Sequence, residues 1–181
     1  MISMDLIKAF DSVSHSSILR ALRRVQVPPY LIEYVTATLT SSSTIFHVGQ
    51  EASVLISING DVRQGDPLSP ILFNLVLDKL VDDLASSDLG CTMAGGVRCS
   101  MLAFADDVVL LAENEKNLQV LVDREVDFCN YRGMAVNPDK CHVLMKKKIK
   151  GAVVPVTKTD VSIQERAVSH VTDLNPIRYL R

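Results

Sequence analysis

The chain has 181 residues, of which 48% are hydrophobic and 22% charged, and its formal net charge is −2 at pH 7. This composition indicates one globular domain and argues against disorder, collagen and coiled coil. No apolar run approaches the ~20 residues that span a bilayer, and no basic segment followed by an apolar stretch marks a secretory signal, so we expect no membrane partner.

Charge and cysteine spacing add two expectations. Residues 1–139 carry ten basic and 18 acidic side chains, whereas residues 140–181 carry nine basic and three acidic ones. The acidic part could hold cations and the basic part could meet phosphates, or both could be ordinary solvated surfaces. The four cysteines and four histidines have no zinc spacing, which predicts free thiols in a reducing compartment.

Apolar periodicity predicts the elements in chain order. We expect a strand at 2–6, helices at about 15–26 and 29–40, strands at 44–48 and 54–58, and a helix at about 70–86 with Ser69 as its N-cap and Pro70 at its first position. A tight hairpin follows, with Asp106-Asp107 as its turn, then a helix at about 115–131 ended by Gly133 and strands at 141–146 and 153–156. Long helices between antiparallel hairpins predict an α+β fold, with helices on one face of an antiparallel sheet.

Three aspartates occupy positions where an ionised carboxylate is energetically unfavourable unless a cation or a hydrogen-bond donor compensates it. Asp106 and Asp107 repel one another in the predicted turn, and Asp5 ends the first apolar strand. Carboxylate oxygens are ligands that suit Mg²⁺ or Mn²⁺. If the first strand pairs beside the hairpin, the three carboxylates converge on a two-metal site. The alternative is an exposed acidic turn with no ligand, and we expect Asp11 to be a turn or helix-cap residue.

The segment from Val62 to Pro70 is a second candidate site. Gly65 allows close backbone approach to a ligand, and Arg63 and Gln64 offer donors. The segment leads into a helix N-terminus, which favours anions. The alternative is a simple Gly-Pro turn that begins a helix.

Four segments, in this order, resemble the palm domain of reverse transcriptases, most closely those of non-LTR (LINE-type) retrotransposons: Asp5–Val13, Arg63–Asn74, Phe104–Asp107 and Gly133–Cys141. The resemblance implies a polymerase palm over residues 1–146, and residues 147–181 are expected to be a basic extension toward the primer grip and thumb. The fingers, thumb and endonuclease regions of a longer polyprotein are expected to be missing.

The resemblance also implies residue roles. Two Mg²⁺ ions, or Mn²⁺ in their place, would be held by Asp5, Asp106 and Asp107. Lys140 would protonate the leaving pyrophosphate, unless it is only an exposed lysine. Phe10 would lie beneath the incoming sugar and select deoxynucleotides, although a core aromatic explains it equally. The remaining residues implied to bind the dNTP or lie beside the primer end are Arg63, Gln64, Gly65 and Ala105.

The implied function is RNA-directed DNA polymerisation, in which a primer 3′-hydroxyl attacks a dNTP on an RNA template. The resemblance implies intracellular, nuclear action. Because the fingers region is expected to be missing, the chain alone is expected to polymerise poorly or not at all. Three alternatives stay open: a retroelement remnant that at most binds RNA, a group II intron maturase, and a plain α+β RNA-binding module. Metal dependence separates the enzyme from the binding module.

Overall fold

A computed structural model of the chain describes residues 1–40, 43–48, 52–57, 67–149, 152–156 and 158–171. Among the predicted site residues, Arg63, Gln64 and Gly65 lie outside the described residues. No helix in the described part is both long enough and apolar enough to cross a bilayer.

Helices and strands both run through the described chain, which makes the fold α+β. The helices are α1 (Ala9–Ser12), α2 (His15–Arg24), α3 (Pro29–Thr40), α4 (Leu68–Ala85), α5 (Glu115–Arg132) and a 3₁₀ turn (Pro138–Lys140). The strands are β1 (Ile2–Met4), β2 (Leu6–Ile7), β3 (Ser43–Val48), β4 (Ala52–Ser57), β5 (Cys91–Thr92), β6 (Arg98–Cys99), β7 (Met101–Phe104), β8 (Asp107–Leu110), β9 (Ala135–Val136), β10 (His142–Val143), β11 (Met145–Ile149), β12 (Ala152–Val156), β13 (Ser162–Ile163), β14 (Arg166–Ala167) and β15 (Ser169–His170).

The main sheet has five strands in the order β15-β10-β1-β8-β7. Strand β1 pairs antiparallel with both β8 and β10, and β7 pairs antiparallel with β8. Strand β15 lies parallel to β10, so the sheet is mixed and the expectation of a purely antiparallel sheet is wrong. The parallel strand belongs to the weakly patterned segment after residue 150, where the sequence gives little periodicity.

The chain divides into two compact units, one of Met1–Ile7 with Asp78–Arg181 and the other of Lys8–Leu77. The first unit contains the five-stranded sheet, whose central strands are apolar and buried, and its core includes Ile2, Val108, Leu110, Leu121, Val122 and Val143. The second contains α2, α3 and the β3–β4 hairpin, and its core includes Val13, Ile18, Leu22, Phe73 and Val76. The predicted division into residues 1–146 and 147–181 stays a prediction.

Helix ends follow the capping signals closely. The Asn114 side chain accepts a hydrogen bond from the Asn117 N–H at 2.8 Å and begins α5. Gly133 ends α5 in the left-handed conformation (φ 83°), as predicted. Ser14, not Asp11, is the N-cap of α2, because the Ser14 hydroxyl accepts from the Ser17 N–H and the backbone of Asp11 lies inside α1.

The start of α4 and the β5–β6 hairpin differ from the prediction. Helix α4 begins at Leu68, so Ser69 and Pro70 lie inside its first turn. Proline is tolerated there because the first N–H groups of a helix have no intrahelical partner. The β5–β6 hairpin was not predicted at all, because two-residue strands are too short to show a period-two pattern.

Candidate active site

The strand register brings the predicted carboxylates to neighbouring strand ends. In the β1–β8 pair, Met4 lies opposite Val108. Asp5 follows Met4 directly and Asp107 precedes Val108, so the two aspartates stand at the same end of two paired strands. The condition set by the sequence, that the first strand pairs beside the hairpin, is therefore met.

The hairpin turn lies one residue earlier than predicted. Phe104 pairs with Asp107, which makes Ala105 and Asp106 the two turn residues and Asp107 the first residue of β8. Ala105 has a φ of 52°, the left-handed conformation that a two-residue hairpin turn requires of its first central residue. As a result, Asp106 is exposed while Asp107 is half-buried.

The backbone of Asp5 is held on both sides by the segment that follows α5. The Asp5 N–H donates to the Cys141 Sγ at 3.4 Å, and the Asp5 carbonyl accepts from the Asn137 N–H at 2.8 Å. Asn137 also begins the 3₁₀ turn, because its side chain accepts from the Asp139 N–H at 3.2 Å. Two groups from one short turn thus hold the backbone of Asp5 in place.

Asn137 and Cys141 are site residues that sequence reasoning missed. Both lie in the Gly133–Cys141 segment, of which only Lys140 was singled out. The signal was present in Asn137-Pro138, since Asn before proline is a frequent turn and cap pair. Cys141 carried no signal, because a buried cysteine looks like any other core residue. Burial raises the pKa of the Cys141 thiol to about 12, so the sulfur stays neutral at physiological pH.

Lys140 lies beside Asp5. Its Nζ is 4.0 Å from the Asp5 Oδ2, with 69% of the lysine side chain and 39% of the aspartate side chain exposed. An ion pair this exposed contributes less than about 1 kcal/mol to stability. Its importance is that it sets an ammonium group next to the predicted catalytic carboxylate.

Phe10 lies in α1, in the second unit. Its ring centroid is 4.7 Å from that of Phe73, a buried residue of α4, and the rings are tilted by 38°. An aromatic contact of this kind supports the core interpretation of Phe10. The role in sugar selection stays a prediction.

The donor chemistry fits a divalent cation, since the three carboxylates supply only oxygen ligands. The arrangement of these side chains does not yet form a metal site. Within the described residues, no three His, Cys, Asp or Glu side chains are arranged to hold a metal ion. The structure brings Asp5 and the Asp106–Asp107 pair to adjacent strand ends, and the metal site itself stays a prediction.

Sequence comparison decides the family. A family model described as "Reverse transcriptase (RNA-dependent DNA polymerase)" matches residues 1–180. The chain belongs to the reverse transcriptase family. Members of this family are nucleotidyltransferases, and the resemblance inferred from the four segments is confirmed.

Two similar curated proteins are polyproteins of retrotransposable elements. The chain is 36% identical over 180 residues to a "Retrovirus-related Pol polyprotein from type-1 retrotransposable element R2" of Popillia japonica, covering 99% of this chain and 30% of the relative. It is 42% identical over 140 residues to the type-2 element R2DM polyprotein of Drosophila melanogaster, covering 77% of this chain and 13% of the relative. The chain therefore spans less than a third of these relatives.

Proposed function

We propose that this chain is the palm of a non-LTR retrotransposon polymerase and carries its two-metal nucleotidyl-transfer site. The observation that carries the proposal is the β1–β8 register, which sets Asp5 beside the Asp106–Asp107 pair. Phosphoryl transfer is catalysed mostly by positioning the reactants and stabilising charge. Paired strands that hold carboxylates close together supply both.

Each residue has a distinct part in the proposed reaction. Asp5, Asp106 and Asp107 would hold the cations, and Asn137 and Cys141 hold the backbone of Asp5. Divalent cations, when bound, lower the pKa of the attacking hydroxyl and offset the charge that develops on the phosphate. Lys140, next to Asp5, holds the proton that the leaving pyrophosphate accepts.

The family supports the partners of the proposed reaction. RNA serves as template, DNA as primer and a dNTP as substrate, with Arg63, Gln64, Gly65 and Ala105 around the nucleotide. Nuclear action is also part of the proposal, because a retroelement that inserts into chromosomes is expected to act in the nucleus. Imaging of a tagged chain in cultured cells tests that part.

The first test is cation binding by the purified chain. Mn²⁺ titration followed by electron paramagnetic resonance should show binding that Asp5→Asn and Asp106→Asn each weaken at least tenfold. Asp127→Asn is the matched control, because Asp127 is an exposed residue of α5 and its loss removes the same charge. Equal Mn²⁺ binding by all four proteins would contradict the proposal.

The second test is single-nucleotide addition to a DNA primer on an RNA template, with the chain in excess over primer. Asp106→Asn is expected to lower the rate by about 10²–10³-fold or more, while Asp127→Asn leaves it unchanged. Activity that survives Asp106→Asn would contradict the assigned site.

A further inference from the structure

The hairpin formed by β11 and β12 stands apart from the five-stranded sheet. It pairs at five positions, from Met145 opposite Val156 to Ile149 opposite Ala152, and forms a two-stranded sheet of its own. We call these two strands the basic hairpin, because β11 contains Lys146, Lys147 and Lys148 in succession. An isolated two-stranded hairpin is marginally stable in water, which raises the question of what it contacts.

The register divides the basic hairpin into two unlike faces. Lys146 lies opposite Pro155 and Lys148 opposite Val153, and all four side chains are exposed. Because side chains alternate along a strand, these four share one face. The other face contains Met145, Val154 and Val156, which are half-buried, together with Lys147.

The charges on the exposed face have no partner in the described part of the chain. None of its carboxylates forms an ion pair with Lys146 or Lys148. Lys147 differs, because its charge acts on Glu115. The Thr159 hydroxyl and the Asp160 N–H lower the pKa of Glu115 most, and the charge of Lys147 adds a smaller effect in the same direction. Two unpaired ammonium groups on one flat face, about 7 Å apart along the strand, fit a polyanion.

The stretch of sequence that contains the basic hairpin has an excess of the same charge. Residues 140–181 hold nine basic and three acidic side chains, against ten and 18 in the rest of the chain. Lysine binds phosphate as a point charge and reads no sequence, which suits contact with a nucleic-acid backbone.

The basic hairpin begins at the end of β1 opposite to Asp5. The Met1 ammonium donates to the Leu144 carbonyl at 2.9 Å, so β11 starts beside the residue that precedes β1. Asp5 lies four residues after Met1, and four steps along an extended strand span about 14 Å. Contacts made there add affinity for a long strand without touching the reacting atoms.

We propose that the exposed face of the basic hairpin, with Lys146 and Lys148, binds the phosphate backbone of RNA at a distance from the carboxylate site. The choice of RNA rests on the proposed function, since the family copies RNA. The competing explanation is edge protection, in which lysine and proline on exposed strands prevent pairing with another chain.

The test is RNA binding by the full 181-residue chain in EDTA, measured as fluorescence anisotropy of a labelled 30-nucleotide RNA from 50 to 200 mM KCl. For Lys146→Gln/Lys148→Gln we expect the negative salt slope of the association constant, d log K/d log[KCl], to become shallower by about 1.4 and the affinity at 100 mM KCl to fall about 25-fold. Lys146→Arg/Lys148→Arg keeps both charges and should keep the affinity. Because EDTA removes divalent cations, this result is independent of the carboxylate site.

The matched control is Lys116→Gln/Arg124→Gln, which removes two exposed positive charges from α5. It should retain the salt slope of the unmodified chain. Circular dichroism shows whether each variant is folded, and light scattering whether it is monomeric. The proposal is overturned if Lys146→Gln/Lys148→Gln binds as tightly as the unmodified chain, if the control loses equal affinity, or if the only change is aggregation, which is the edge-protection outcome.

Discussion

Glu125 is the most unusual single residue in the first unit. It lies fully buried on α5, and neither carboxylate oxygen has a hydrogen-bond partner among the described residues. Burial raises the pKa of Glu125 to about 8, so the carboxyl is largely neutral at pH 7. Burial, with the Glu125 charge adding to it, also raises the pKa of Cys129, so this neighbouring thiol does not ionise in the same range.

Stability should therefore fall as pH rises from about 4.5 to about 8. In this window the unfolded chain releases the Glu125 proton while the folded chain retains it, so the free energy of unfolding decreases by up to roughly 1.4 kcal/mol per pH unit. Glu125→Gln cannot ionise and should flatten this slope, with the largest gain at pH 8. Urea denaturation at pH 5, 6, 7 and 8 measures it, and parallel curves for the two proteins would contradict the assignment.

At the scale of elements, the β5–β6 hairpin is packed so closely at Gly90 that a side chain has no space there. A Cβ on Gly90 would lie 2.6 Å from the carbonyl carbon and oxygen of Cys99. The Arg98 guanidinium fixes the same corner, donating to the Asp88 and Gly90 carbonyls at 2.8 Å each. The strands have no room to separate without losing these bonds.

Gly90→Ala should therefore lower the free energy of unfolding by about 2–3 kcal/mol. Gly95, in the turn of the same hairpin, is the comparison, because a Cβ there meets nothing within 4 Å and only its φ of +84° is unfavourable. Gly95→Ala should cost only about 1 kcal/mol. Urea denaturation compares the two, and equal losses would show that the close approach at Gly90 is relieved easily.

The same scale shows what sequence reasoning can reach. Helices α3 and α5 were predicted within a residue, because proline and glycine mark their ends. The turn at Ala105-Asp106 was placed one residue late, because an alanine in the left-handed conformation gives no warning. The hydrogen bonds of the Asp5 backbone to Asn137 and Cys141 join residues more than 130 positions apart, so only the folded structure shows them.

Across the whole molecule, the two signs of charge are segregated and nearly balanced. The net charge is −2 at pH 7 and the isoelectric point is about 6.1. Proteins near zero net charge associate readily, and unlike regions on different copies attract one another when salt is low.

Light scattering at 20 mM NaCl should therefore be greatest near pH 6 and decrease toward pH 8, and 300 mM NaCl should weaken it at pH 6. Lys146→Gln/Lys148→Gln lowers the isoelectric point and should move the maximum to lower pH. If the scattering changes with neither pH nor salt, exposed apolar groups rather than charge govern association.

The central position of β1 also has a consequence for synthesis. Ile2–Met4 lies between strands that contain Val108–Leu110 and His142–Val143, so both of its partners leave the ribosome more than 100 residues later. At 5–20 residues per second, the first strand waits roughly 7–28 s for its second neighbour. During that interval the apolar side chains of β1 are exposed and can bind chaperones. The sheet that contains β1 and positions Asp5 can form completely only when almost the whole described chain has been synthesised.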